Sequence, residues 1–125
     1  MARVAVIGAS ANPARYSHRA LRMLQAAGHT PLPVSRQGGE ILGFPGYPAV
    51  DLIPGPVDTV TIYLSPDKQP AVIRAILKRP PRRVIFNPGA ENPGVYPALS
   101  AAGIEVVEAC TLVLLSTGQF TASGS

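Results

Sequence analysis

Apolar positions in this chain come in short runs, parted by turn residues, and the runs alternate between two periods. Val4-Ala5-Val6-Ile7 is unbroken and ends at Gly8, which predicts a strand over 3–7 covered on both faces. From Ser17 to Ala27 the spacing turns helical. Ala20, Met23, Leu24 and Ala27 are expected to face the sheet, and Gly28 is a natural stop. Residues 30–34 read as a second strand, although Pro31 and Pro33 permit only partial pairing. Glu40-Ile41-Leu42 suggests a short extended piece, and 49–53 a single helical turn. Val57 to Leu64 is rich in β-branched residues and predicts a further strand.

Ser65-Pro66-Asp67 has the pattern of a helix start, while Pro70 offers a later start or a distorted first turn. Val72, Ile73, Ile76 and Leu77 give that helix its buried stripe. Strands are expected over 82–86 and 104–107. The helix between them is capped by Asn92, carries Pro93 at its first position and stops at Gly103. Residues 111–117 are apolar enough for a closing helix. Strand and helix alternate throughout, which argues for an α/β domain: an open, doubly wound, mostly parallel sheet of about five strands with helices on both faces. Residues 1–120 are expected to form this single domain, and 121–125, small and polar, a disordered tail.

Composition narrows the function. The 125 residues are 46% hydrophobic and 14% charged, a globular balance rather than a disordered one. No apolar run approaches the roughly 20 residues that span a bilayer, and no signal peptide is evident. With Cys110 the single cysteine, an internal disulfide is excluded and a cytoplasmic location is expected. His18 and His29 lack the clustering of a metal site, so no metal is expected. The formal net charge is +4, yet aromatics are only 6% and tryptophan is absent. That points to a small anionic ligand over nucleic acid, whose single strands need stacking platforms.

Ligands of open α/β sheets sit outside the C-terminal ends of the strands, at the switch point. Four loops of this chain end there: Gly8–Ser17, Val34–Gly39, Leu64–Asp67 and Asn87–Glu91. The first is strand, tight turn and helix start, a unit that commonly meets a phosphate. It departs from the G-x-G-x-x-G fingerprint, with Ser10 and Pro13 at the second and third glycine positions. Arg15, Arg19 and Arg22, with His18, form the densest basic group; if the helix extends back to Arg15 the three arginines are neighbours, and one or more could reach a pyrophosphate. After the second strand, where an acid would select the 2′-hydroxyl of NAD, stands Ser35-Arg36. An arginine there favours a ribose bearing an extra phosphate, as in NADP or coenzyme A. Neither Cys110 nor Ser10 has a recognisable base, and no carboxylates form an evident acid/base pair, so no catalytic residue is assigned.

Taken together, VAVIGASANPARYSHRA, GGEILGFPGYPAV, PVDTVTIYLSP, RVIFNPGAENP and GIEVVEACTLVLLSTGQF resemble the small stand-alone CoA-binding proteins. These in turn resemble the N-terminal CoA-binding domain of the succinyl-CoA synthetase alpha subunit. The resemblance runs from Arg3 to Phe120 and implies a Rossmann-like domain that binds coenzyme A. It implies that Gly8, Ala9 and Ser10 hold the phosphates and that Arg36 meets the 3′-phosphate. Leu64, Ser65 and Pro66 would border the adenine or pantetheine path, and Asn87, Pro88 and Gly89 would lie near the pantetheine end. Tyr16 and Ser17 would be further contacts, beside Arg15 and Val34 in the loops named above. The synthetase's phosphorylated histidine belongs to a later domain, so ligase activity is not expected. The alternatives are an NADP-dependent oxidoreductase or another nucleotide-binding enzyme, and an interaction module. Coenzyme A or an acyl-CoA is the expected partner, without membrane or nucleic acid. A homodimer is common for small α/β domains, but no segment marks an interface.

Overall fold

The computed structural model describes residues 1–121; the expected tail lies beyond them, except for Thr121. Five parallel strands form one sheet in the order β2-β1-β3-β4-β5. They are β1 (Arg3–Ile7), β2 (Thr30–Val34), β3 (Thr59–Ile62), β4 (Arg83–Phe86) and β5 (Glu105–Glu108). The helices are α1 (Tyr16–Ala26), α2 (Pro70–Lys78), α3 (Tyr96–Ala101) and α4 (Thr111–Ser116), with 3-10 turns at Val50–Leu52, Pro66–Lys68 and Pro93–Val95. Among the described residues, no helix is long and apolar enough to cross a membrane.

The sheet's apolar strands serve two cores. Val4 and Val6 of β1 pack with Leu21 and Leu24 of α1, Ile85 of β4 and Phe120, joined by Leu114 and Leu115 of α4. Ala5 and Ile7 point the other way, to Ile73, Ala75 and Ile76 of α2, Leu99 of α3, and Val50 and Ile53. This alternation along one strand is the period-2 rule with both faces covered.

The prolines of β2 are accommodated because β2 is an edge strand. Thr30 donates its N–H to Ala2 O at 2.9 Å, so residues 30, 32 and 34 turn their amides toward β1. Pro31 and Pro33, one step out of phase, occupy positions whose missing donors face away from the ladder. Pro33 O still accepts from Tyr47 N at 3.0 Å, which ties the following loop to this edge.

Several expectations need correction. Residues 40–42 form no strand of the sheet. Ile41 and Phe44 bridge across a tight turn with Leu42 at φ 54 and Gly43 at φ 81. The strand expected over 57–64 is limited to Thr59–Ile62, the stretch that pairs on both sides. The face of α1 turned inward is Ser17, His18, Ala20, Leu21 and Leu24; Met23 is only half-buried and Ala27 is exposed. In α2 the buried face includes Ala75, while Leu77 is exposed. Pro66 and Pro70 each begin a helical piece, a 3-10 turn and then α2, so both readings of that segment hold in part.

Two arginines fasten the segment before β3 through its main chain. Arg3 donates to the carbonyls of Pro54 (2.8 Å) and Pro56. Arg79 donates to those of Asp51 (3.2 Å), Ile53 (2.5 Å) and Gly55 (2.8 Å). A third arginine, Arg83, is buried in β4. It donates to Thr59 Oγ1 (3.2 Å) and Phe120 O (2.8 Å), with its guanidinium 4.5 Å from the Phe120 ring centroid.

His29 packs its ring 5.0 Å from that of Phe120 and accepts the Ala2 N–H at Nδ1 (3.0 Å). Burial chiefly, then the N-terminal ammonium and Arg83, hold its pKa below the ordinary 6.5, against an opposing pull from Asp58. The unfolded chain therefore binds the proton more readily. This contribution to stability is complete above the unfolded value and is lost as pH falls toward the folded one. Urea midpoints measured from pH 7.5 to 5 should fall for the wild type and fall less for His29→Gln. Parallel curves would remove His29 from the acid response.

Candidate ligand-binding cleft

The loops after β1 and β3 meet at the switch point of the sheet. Gly8 has φ +83, which favours glycine, and a Cβ there would stand 3.0 Å from Leu64 Cδ2 and press on that side chain. Beside this junction, on the α2 face of the sheet, opens a cleft of about 690 Å³. Its floor is Ile7, Val34 and Val50. Its walls are Ser35-Arg36-Gln37 and Pro48-Ala49 on one side, and Leu64, Lys68, Ala71, Val72 and Ala75 on the other, with Gly8 and Ala9 at its end. Arg36 and Lys68 are its charged residues, and no carboxylate lines it. An anion would meet an apolar bed with two cations at the rim.

The basic residues sort by what already occupies them. Arg3, Arg79, Arg82 and Arg83 hold carbonyls, hydroxyls or Asp58; Lys78 stands 3.9 Å from Asp51; Arg19 lies 5.6 Å over the Tyr16 ring. For Arg36 and Lys68 the structure gives no hydrogen bond or ion pair among the described residues. They are thus the cations in the cleft that remain available to a ligand.

Of the residues singled out from sequence, Gly8, Ala9, Val34, Arg36 and Leu64 line the cleft together. The amides of Gly8 and Ala9 are both already donated to Val34 O, at 3.0 and 3.1 Å. The turn beyond them is built by its own side chains. Ser10 Oγ accepts the Asn12 N–H at 3.0 Å, and Asn12 Oδ1 accepts that of Ala14 at 3.0 Å. Arg15 is exposed at the foot of α1, Tyr16 is 65% exposed, and Ser17 is buried in the inward face of the helix. Ser65 and Pro66 are exposed just past Leu64, and the Ser65 hydroxyl donates to Asp67 Oδ1 at 2.5 Å. That bond chiefly holds the Asp67 carboxyl below its ordinary value.

The loop after β4 stands apart from the cleft lining. Asn87 is buried; its Nδ2 donates to Thr61 Oγ1 (2.7 Å) and Ile62 O (2.8 Å), and its Oδ1 accepts the Thr111 N–H (2.8 Å). Pro88 and Gly89 are exposed, and Gly89 donates its N–H to Glu91 Oε1 at 2.8 Å. Gln69, also buried, donates to Leu64 O and Ala90 O at 2.8 Å each, which braces this loop against the one after β3. The pKa of Tyr63, near Thr61 and Thr111, is pushed up to about 12, chiefly by burial, so its phenol stays protonated. Cys110 is half-buried immediately before α4. Among the described residues, no three His, Cys, Asp or Glu side chains are grouped to hold a metal ion.

Sequence reasoning pointed to the Val34–Gly39 loop that carries Ser35 and Gln37, but missed Pro48, Ala49, Val50, Lys68, Ala71, Val72 and Ala75 as lining residues. Most are small or apolar and carry no chemical signal of their own. Lys68 was the exception: a cation just after a switch-point loop.

Comparison with known proteins agrees with this placement of the fold. The profile of a family described as a CoA binding domain matches residues 2–116. The uncharacterized protein YneT of Bacillus subtilis (strain 168) is 30% identical over 105 residues, covering 84% of this chain and 78% of its own length. The crystal structure of an uncharacterized protein, 43% identical, superposes with a TM-score of 0.88 over 96% of this chain and 98% of that one. A Thermus thermophilus structure, cell-free ID.343, is 29% identical with a TM-score of 0.86 over 95% of this chain and 90% of its own.

Proposed function

This chain belongs to the CoA-binding domain family, and from that premise we propose that it binds coenzyme A or an acyl-CoA in the cleft between β2 and α2, as a cytoplasmic binding protein without a catalytic group of its own. The observation that carries the reading is Arg36: a guanidinium without a partner among the described residues, on the cleft wall just past β2, where an acid would select NAD. In this reading Arg36 takes the 3′-phosphate. The adenosine lies between Val34 and Leu64, the diphosphate crosses the loop Gly8-Ala9-Ser10, and the pantetheine passes Ser65 and Pro66 toward Asn87, Pro88 and Gly89. Arg15, Tyr16 and Ser17 flank the diphosphate. Lys68 supplies a second cation from the opposite wall, which supports an anionic ligand over a neutral one.

Calorimetric titration with coenzyme A, dephospho-CoA, NADP and NAD, side by side, tests the proposal. Coenzyme A is expected to bind tightest and dephospho-CoA more weakly. NADP as the tightest ligand would transfer the cleft to an oxidoreductase reading. No binding by any of the four would leave an interaction module.

A further inference from the structure

We propose that His18 is a positioning residue for diphosphate: it turns the Ser10–Ala11 peptide so that the Ala11 N–H faces the ligand. The proposal rests on the reading of the cleft as a site for a diphosphate-bearing ligand, and it moves the working amide from Gly8 and Ala9 to Ala11.

The geometry is local. His18 lies on the inward face of α1, 5% exposed, with Nδ1 3.0 Å from Ser10 O. A carbonyl oxygen only accepts, so Nδ1 carries the proton. The Ser10 carbonyl is thereby drawn inward, toward α1. The peptide to Ala11 is trans and planar, so the Ala11 N–H must point the opposite way, outward. Ala11 is exposed, and its N–H has no acceptor among the described residues. The amides of Gly8 and Ala9 are consumed by Val34 O, and among the described residues the Ser10 N–H, like that of Ala11, has no acceptor. Of these two free amides, that of Ala11 belongs to the peptide whose carbonyl His18 holds, so His18 sets its aim.

The role calls for a donor at the Nδ1 position. Asn places its amide nitrogen near His Nδ1, whereas Gln reaches the Nε2 position. His18→Asn is therefore expected to preserve the peptide's orientation and His18→Gln to lose it.

The test is an amide NMR titration with inorganic pyrophosphate. The Ala11 signal should shift saturably in the wild type and in His18→Asn. In His18→Gln the apparent affinity should fall about tenfold, the scale of one charge-assisted hydrogen bond. A wild-type Ala11 signal that does not move overturns the proposal, as does His18→Gln binding as tightly as the wild type, or His18→Asn binding as weakly as His18→Gln. Should His18→Gln not fold, the wild-type ring decides: long-range nitrogen–proton correlation is expected to show a proton on Nδ1, and a bare Nδ1 overturns the proposal. Coenzyme A plays no part in this experiment. A wild type that fails to bind coenzyme A while Ala11 still answers pyrophosphate removes the proposed function and leaves His18 in place; the reverse pattern removes His18 alone.

Discussion

Arg36→Ala is expected to weaken coenzyme A binding by about ten- to a hundredfold while changing dephospho-CoA by less than about threefold. The two ligands differ by the 3′-phosphate alone, so the ratio of losses isolates that group. A charge-assisted bond contributes roughly 1.5–3 kcal/mol, and about 1.4 kcal/mol is a factor of ten. Arg36 stands exposed on the cleft wall, so salt should screen the effect, and the gap between the ligands should narrow as ionic strength rises. Arg36→Lys should recover only part of the loss, because an ammonium cannot grip a phosphate with two parallel bonds. Titration calorimetry at two salt concentrations reads all of this. Equal losses for both ligands would sink the assignment of Arg36 to the 3′-phosphate.

Asn87→Ala is expected to cost about 3 kcal/mol of stability and to lower the melting midpoint by roughly 10 °C. Its amide serves three buried partners at once: Thr61 Oγ1, Ile62 O and the Thr111 N–H. Thr61 Oγ1 and Thr111 Oγ1 are themselves 2.7 Å apart. Removing the side chain strands the Thr111 N–H in a site closed to water, a loss of about 1–3 kcal/mol, and also takes a donor from Thr61 Oγ1 and from Ile62 O. The amide also joins the end of β3 to the first residue of α4, across two neighbouring strand ends. Thermal denaturation followed by circular dichroism checks the prediction. A midpoint within about 2 °C of the wild type, together with weakened coenzyme A binding, would move Asn87 from the scaffold to the ligand.

The strands were the most legible part of the chain. β1 and β2 begin and end where the residue pattern puts them, and two prolines within β2 already limited its pairing. Helix faces were less legible where polar residues turn inward. A stripe drawn through apolar positions alone runs to Met23 and Ala27, but α1 buries Ser17 and His18 because the neighbouring loop offers His18 an acceptor. That loop lies eight residues away along the chain, and its approach cannot be read from spacing. The 40–42 piece failed for a related reason: Leu42 adopts a left-handed conformation usually left to glycine or asparagine, so its turn carried no recognisable signature.

The candidate site divided along similar lines. Gly8, Ala9, Val34, Arg36 and Leu64 follow from topology, since strand ends converge wherever the strands lie. The opposite wall did not follow. Ala71, Val72 and Ala75 are chemically indistinguishable from core residues of the same helix, and only the distance between α2 and the loop before Val50 makes them a surface. Asn87 shows the converse: a polar residue at a strand end, here occupied by the protein's own backbone and hydroxyls.

Arg3 and Arg79 grip the 51–56 segment by its oxygens, and an anchor of that kind is blind to the letters it holds. Leu52 is 58% exposed, and Pro54 and Pro56 offer their carbonyls as any residue would. Gly55 is the exception, since a Cβ there would stand 2.8 Å from Arg3 Nη1. The segment is therefore a place where a protein engineer can write: a short epitope or a labelling handle spelled at its other exposed positions should leave the clasp intact. Its length is not negotiable in the same way, because one inserted residue would carry the oxygens out of phase with both guanidinium groups.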